Sequence, residues 1–229
     1  RQTYEVIGGP LIGKASLPLL RAELKAQGLD GVYIPHEDEY QNEYLPACNE
    51  RLAWATGFTG SAGAAFVFTK SAIVFVDGRY TLQVRNQVST KLFEIGDLVD
   101  PGPFGWLARQ DMAGQTIGYD PQLLSPDALD RLTDAARRSG ARLVATPENP
   151  IDKAWGADRP AEPVSPVVAH SVEYAGETSA SKRARLGRQL SDTGADAAVI
   201  TSPASLAWLF NIRGGDVSRT PLPLGRAIL

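Results

Sequence analysis

Cysteine and histidine are nearly absent from this 229-residue chain, which has one cysteine, Cys48, and two histidines, His36 and His170. An internal disulfide is thereby excluded, and no Cys/His spacing suited to structural zinc can be assembled. Charge of one sign is lacking as well. The 23 basic and 26 acidic residues leave a net charge of -3 with no long single-sign block, so nucleic acid is not an expected partner. Long hydrophobic runs are missing too. Stretches such as Ala64 to Phe68 and Ala72 to Val76 are strand-sized, far short of the roughly 18 consecutive apolar residues of a membrane span, so no membrane association is expected. What remains, 43% hydrophobic and 21% charged, is the balance of an ordinary folded protein with a core.

The chain repeats itself. Leu20, Leu24, Gly28, Asp30 and Ile34 match Leu186, Leu190, Gly194, Asp196 and Ile200 at an offset of 166. Leu52, Ala53, Trp54 and Gly60 match Leu206, Ala207, Trp208 and Gly214 at an offset of 154, so the first copy has 12 extra residues (166 minus 154) before its Leu-Ala-Trp helix. Each copy has leucines four apart on a helix, a glycine where the helix stops, and a short buried strand. The expected helices and strands are Leu17 to Gln27 and Gly31 to Pro35 in the first copy, and Lys182 to Asp192 and Asp196 to Thr201 in the second.

The first copy continues with a hairpin, Ala64 to Thr69 and Ala72 to Asp77, turned at Lys70 and Ser71. Helices at Arg79 to Val88, Phe104 to Gln110 and Pro126 to Ser139 and strands at Thr116 to Tyr119 and Arg142 to Ala145 complete an α/β layer domain. Prolines 147, 150, 160, 163 and 166 read as a surface linker, interrupted by Ile151 to Trp155. The expected domains are 1–162, with this linker at its end, and 163–229, an incomplete second copy whose Leu222 to Leu229 supplies only the first hairpin strand. A strand without its neighbour leaves an unpaired edge, so the chain is expected to be a fragment.

Few residues suggest chemistry. Gly57 to Gly63 runs helix, loop, strand, the reverse of a phosphate-binding loop. Glu37, Asp38 and Glu39 read as a solvated acidic run, and His36 as a helix-capping or surface histidine. Without a Gly-x-Ser-x-Gly elbow, His36 and Ser61 do not make a triad. Lys182, Arg183, Arg185 and Arg188 are expected on the solvated face of their helix. Asp77 suits a helix cap, and Trp54 and Trp208 suit core packing. Arg213, between Ile212 and Gly214, can fork onto a carboxylate, with Asp216 the nearest local candidate.

Asp38 to Gly63, with Glu43-Tyr44, Cys48, Glu50-Arg51 and Thr56-Gly57-Phe58-Thr59-Gly60-Ser61-Ala62-Gly63, resembles the first domain of Xaa-Pro aminopeptidases of the creatinase/prolidase superfamily. Asp77-Gly78-Arg79-Tyr80, Asn149-Pro150 with Asp152 and Trp155, and Arg213-Gly214-Gly215-Asp216-Val217 agree with it. Tyr40, Asn42 and Asn49 depart from the residues common at those places.

The resemblance implies two tandem creatinase N-terminal-like domains with a ribonuclease H-like motif, mixed sheets flanked by helices, belonging to the three-domain aminopeptidases. It implies that catalysis, on two divalent metals, commonly manganese, belongs to a pita-bread domain absent from this chain. It also implies a homodimer, which this portion supports while gating substrate access, and proline-containing peptides as substrates of the full enzyme. In this chain no catalytic, cofactor or metal residues are expected; Phe58, Thr59, Gly60, Ser61 and Arg213 are candidates for substrate-access loops, and a cytoplasmic setting is inferred. A stand-alone binding module and another creatinase-like hydrolase are the alternatives.

Overall fold

The computed structural model describes residues 7–229. Over these residues the backbone divides into two units, one comprising 7–39 and Cys48–Pro160, the other Tyr40–Ala47 and Ala161–Leu229.

The first unit is built on a six-stranded mixed sheet ordered β4-β3-β2-β1-β5-β6, with β1 Gly31–Pro35, β2 Gly63–Phe68, β3 Ala72–Val76, β4 Glu94–Asp97, β5 Thr116–Tyr119 and β6 Arg142–Ala145. β1, β2 and β3 are antiparallel neighbours, whereas β3–β4, β1–β5 and β5–β6 are parallel. Side chains alternate across the sheet with the two-residue strand period. Val32, Ile34, Ala65, Val67, Val74 and Val76 face one core; Tyr33, Ala64, Phe66, Phe68, Ile73 and Phe75 face the other.

Helix α1 (Pro10–Ala26) covers the first face through Leu17, Leu20 and Leu24, packed with α2 (Arg51–Thr56) and α6 (Pro150–Trp155). It starts seven residues before the expected Leu17, with Pro10 in its first turn and Pro18 carried inside. One proline removes one ladder bond, and the buried leucine stripe outweighs that loss. α3 (Thr81–Gln87), preceded by a 3-10 turn capped by Asp77 as expected, adds Val84 to the same core. α4 (Gly102–Leu107) and α5 (Pro126–Ser139) cover the second face, and Ser125 caps α5.

The stretch expected to be a surface linker instead begins with a helix. Asn149 accepts the amides of Ile151 and Asp152, Pro150 occupies the first turn, where its missing N–H costs nothing, and Ile151 is buried in the core.

In the second unit, α8 (Ser179–Asp192) leads to β8 (Val199–Ile200), and α9 (Pro203–Phe210) carries the repeated Leu-Ala-Trp. β7 (Val168–Ala169) pairs with β9 (Ile212–Arg213), and α7 (Val172–Ala175) follows β7. β10 (Ala227–Ile228) pairs antiparallel with β8 as β2 does with β1: Ala227 faces Ile200 where Ala65 faces Ile34.

The repeat extends to its helix stops. Leu29 N–H bonds the Leu24 carbonyl at 2.8 Å and Gly28 N–H that of Lys25; 166 residues on, Ala195 bonds Leu190 at 3.0 Å and Gly194 bonds Ser191. Gly28 and Gly194 have φ of 68° and 76°, the left-handed region where glycine is favoured. The copies differ after Leu-Ala-Trp. Ala65 to Ala227 is an offset of 162, against 154 for the tryptophans, so this loop is eight residues longer in the second copy (162 minus 154).

Candidate functional site

The loop Gly57 to Gly63 leaves α2 through Gly57, at φ 87°. A side chain there would collide with the Gly9 carbonyl and lie 2.7 Å from that of Gln87. Phe58 is 1% exposed, in the core, with its ring edge-on to Tyr80. Thr59 is tied to α3: its amide donates to Gln87 Oε1 at 3.0 Å, and its hydroxyl bonds Gln87 and Gln83. Gly60 lets the backbone pass the rings of Phe58 and Tyr80, and the Ser61 amide and hydroxyl meet the Tyr80 hydroxyl at 3.1 and 2.9 Å. The loop is thus held in one shape by its own neighbours. Phe58 anchors it from inside, while Thr59 and Ser61 are half-buried at its surface.

Arg213 lies in β9, at the repeat position of Thr59, and donates to the Ile212 carbonyl at 2.8 Å. Asp216 is not its partner. The two Asp216 oxygens accept backbone amides of Ser165 and Leu224, at 3.0 and 2.9 Å, tying down the enlarged loop of the second unit. The half-buried Arg213 therefore has no carboxylate partner among the described residues.

The acidic run is not solvated. Asp38 is fully buried and accepts from Asn49 Nδ2 at 3.2 Å, Glu39 pairs with Arg51 at 2.6 Å, and only Glu37 is exposed. His36 is buried as well, at the end of β1. The strand end carries these side chains inward, and buried charge is tolerated because it is paired. Arg51, 3% exposed, forks onto Asp152 with Nε and Nη2 at 2.8 and 2.9 Å. Arg159 adds a 3.1 Å contact to Asp152 and bonds the Cys48 carbonyl and Asn49 Oδ1 at 2.8 and 3.3 Å. Burial disfavours the Arg51 charge, yet its bonds to Asp152 and Glu39 hold its pKa above the usual guanidinium range. Burial likewise pushes Glu39 up, but the bond and charge of Arg51 outweigh it and hold the carboxyl below its ordinary value. This cluster escaped sequence reasoning, although Glu50-Arg51 and Asp152 were all visible in the motifs.

Two other expectations change. Lys182 is 2% exposed, not solvated; its Nζ donates to the Trp208 carbonyl and Asn211 Oδ1 at 3.0 and 2.7 Å and lies 4.4 Å from the Trp208 ring centre. Trp208 is 44% exposed and covers a lysine instead of packing in a core, whereas its repeat partner Trp54 stacks on Trp155 against the first core. Among the described residues no three of His, Cys, Asp and Glu gather in a group that could hold a metal ion. Of the clustered carboxylates, Glu39 and Asp152 are engaged by arginines and Asp38 accepts from Asn49, so the donor set does not fit a metal.

The family description Creatinase/Prolidase N-terminal domain matches residues 17–152 and, in a second form, 158–229. The chain belongs to the creatinase/prolidase N-terminal domain family. Its relatives include a probable Xaa-Pro aminopeptidase P of Coccidioides posadasii, 35% identical over 96% of this chain and 34% of the relative. Another, from Chaetomium globosum, is 37% identical over 94% of this chain and 35% of its own length. A crystal structure of X-prolyl aminopeptidase from Caenorhabditis elegans, described as a cytosolic enzyme with a di-nuclear active site, superposes with a TM-score of 0.86 at 29% identity, over 95% of this chain and 37% of that one. This creatinase/prolidase N-terminal chain thus spans about a third of the length of these three relatives. Among the described residues no helix is long and apolar enough to cross a membrane.

Proposed function

We propose that this chain is the non-catalytic N-terminal portion of a cytoplasmic, metal-dependent Xaa-Pro aminopeptidase, a homodimer that removes the first residue from peptides with proline second. The observation that carries this is the match of probable Xaa-Pro aminopeptidases P along 94–96% of the chain while only about a third of their length is covered. Hydrolysis then belongs to a catalytic domain outside these residues, where two divalent metals, manganese in this reading, polarise the scissile carbonyl and supply hydroxide.

This chain's own contribution is to restrict access to that centre. The loop from Phe58 to Ser61 suits the task because α3 and Tyr80 hold its shape before any peptide arrives. Arg213, with no carboxylate partner among the described residues, suits an acidic group of a peptide.

The test is release of the first residue from an X-Pro-X peptide by the full-length protein. In that protein Arg213→Ala raises KM with little change in kcat. The 229-residue chain alone, with manganese, releases nothing. Dose-dependent cleavage by the pure chain would overturn the proposal, and failure of the full-length protein on every X-Pro-X peptide would leave a creatinase-like hydrolase of other specificity or a binding module.

A further inference from the structure

The backbone passes between the two units at three places: 39–40, 47–48 and 160–161. Residues of the first unit beside all three are bound into one cluster. Glu39, the last before Tyr40–Ala47, is held by Arg51 Nη2 at 2.6 Å. Cys48, the first after it, gives its carbonyl to Arg159 Nε at 2.8 Å. Arg159 itself stands two residues before Ala161 and is fixed by Asp152 at 3.1 Å. Across the base of the loop, Asn49 Nδ2 donates to the fully buried Asp38 at 3.2 Å.

Arg51 and Asp152 join the two sides of this arrangement, and Arg51 pays for its place: its Nη1 is buried with no acceptor among the described residues. Buried ion clusters of this kind are seldom the most stabilising choice, since well-packed apolar residues do as well, and an unsatisfied buried donor makes the choice costlier still. What directional charged bonds add over apolar packing is a defined geometry.

We propose that the cluster of Glu39, Arg51, Asp152 and Arg159 is a lock on the base of the loop Tyr40–Ala47, fixing the points at which the backbone leaves and re-enters the first unit. Closing a loop of this size has an entropic cost that the lock meets within the first unit, so the loop is presented with its ends already set. Glu43 and Tyr44 are exposed in that loop, and Leu45 is buried. The lock is independent of the peptidase reading and would operate in a binding module as well.

Amide hydrogen exchange on the 229-residue chain, read by mass spectrometry, tests it. Glu39→Gln removes the charge of the Arg51–Glu39 pair at one end of the base, Arg159→Gln removes the contacts with Asp152, the Cys48 carbonyl and Asn49 at the other, and both leave the Arg51–Asp152 fork in place. Both are expected to speed exchange across Tyr40–Ala47 at least tenfold while β2, β3 and β5 keep their protection. Arg51→Met should do the same more strongly, and if it unfolds the chain the two milder variants decide. Exchange in Tyr40–Ala47 that changes less than twofold in both, or that rises equally in β2, β3 and β5, overturns the lock.

Discussion

The guanidinium of Arg51 grips the carboxylate of Asp152, 101 residues further along the chain, with two bonds of 2.8 and 2.9 Å. α2 and α6 are thereby joined at their N-terminal ends, and Arg159 reaches the same carboxylate. Asp152→Ala leaves the deeply buried Arg51 with Glu39 alone and takes from Arg159 its carboxylate partner. The expected loss is about 3–5 kcal/mol, the usual result of removing one partner of a buried pair. Urea unfolding measures it, and a midpoint unchanged from wild type would mean that the fork carries no net stability.

Two glutamates in this neighbourhood should respond to pH in opposite senses. Glu39 has its folded pKa lowered: burial opposes the charge but Arg51 prevails. Its contribution is present above the unfolded value of about 4.3 and is lost as pH falls through the lower folded value. Glu50 is raised by burial, only partly offset by His36, so it costs stability as pH rises past the unfolded value. Glu39→Gln should therefore flatten the acid side of the stability profile. Glu50→Gln should remove a decline just above it. Unfolding midpoints between about pH 3 and pH 7 distinguish the two, and parallel changes in both variants would contradict these assignments.

Alanine at two glycines of similar φ should have unequal effects. At Gly28, φ 68°, a methyl group meets nothing within 4 Å, and the cost is about 1 kcal/mol of backbone strain. At Gly57, φ 87°, the methyl runs into the Gly9 carbonyl as well, so the loss should exceed about 2–3 kcal/mol. Thermal unfolding of the two variants gives the comparison, and equal losses would show that Gly9 gives way freely.

Neighbouring positions on α8 should behave differently too. Lys182→Met removes a buried ammonium and its bonds to Trp208 and Asn211, leaving both acceptors without it, for a cost of about 2 kcal/mol. Arg183→Ala, at an exposed position, should stay within about 0.5 kcal/mol. Urea unfolding of both variants followed by circular dichroism gives the comparison, and an unshifted midpoint for Lys182→Met would show that Lys182 is only passively buried.

Much of the first unit was legible because its elements follow one period. β1, β5, β6 and α5 fall on the residues expected, since alternating or four-spaced apolar side chains and the Ser125 cap all point the same way. β4 was not legible: Glu94, Ile95, Gly96 and Asp97 show no apolar face and form a strand because β3 offers a parallel edge. The proline-rich stretch misled for a local reason, as Asn149-Pro150 opens a helix as readily as it ends one.

The charged residues failed in another way. Nothing in Glu37 to Glu39 distinguishes a solvated run from one whose partner Arg51 lies 12 residues away and whose Glu39 also feels the charge of Arg159, 120 residues on (159 minus 39). Lys182 looked like its basic neighbours on α8, and only the fold shows that its side chain turns toward the end of α9. The loop from Phe58 to Ser61 was visible as a motif, but its fastening to Gln83, Gln87 and Tyr80 depends on a helix 20 residues on.

The glycine stop that appears twice gives this protein a built-in calibration standard. Gly28 and Gly194 hold the same backbone twist and the same pair of hydrogen bonds, one beneath a helix sealed by core leucines and the other beneath a helix whose leucines are only half covered. The local strain of any substitution is therefore common to both sites. Whatever difference remains measures how far the surrounding packing spreads a small distortion through each unit.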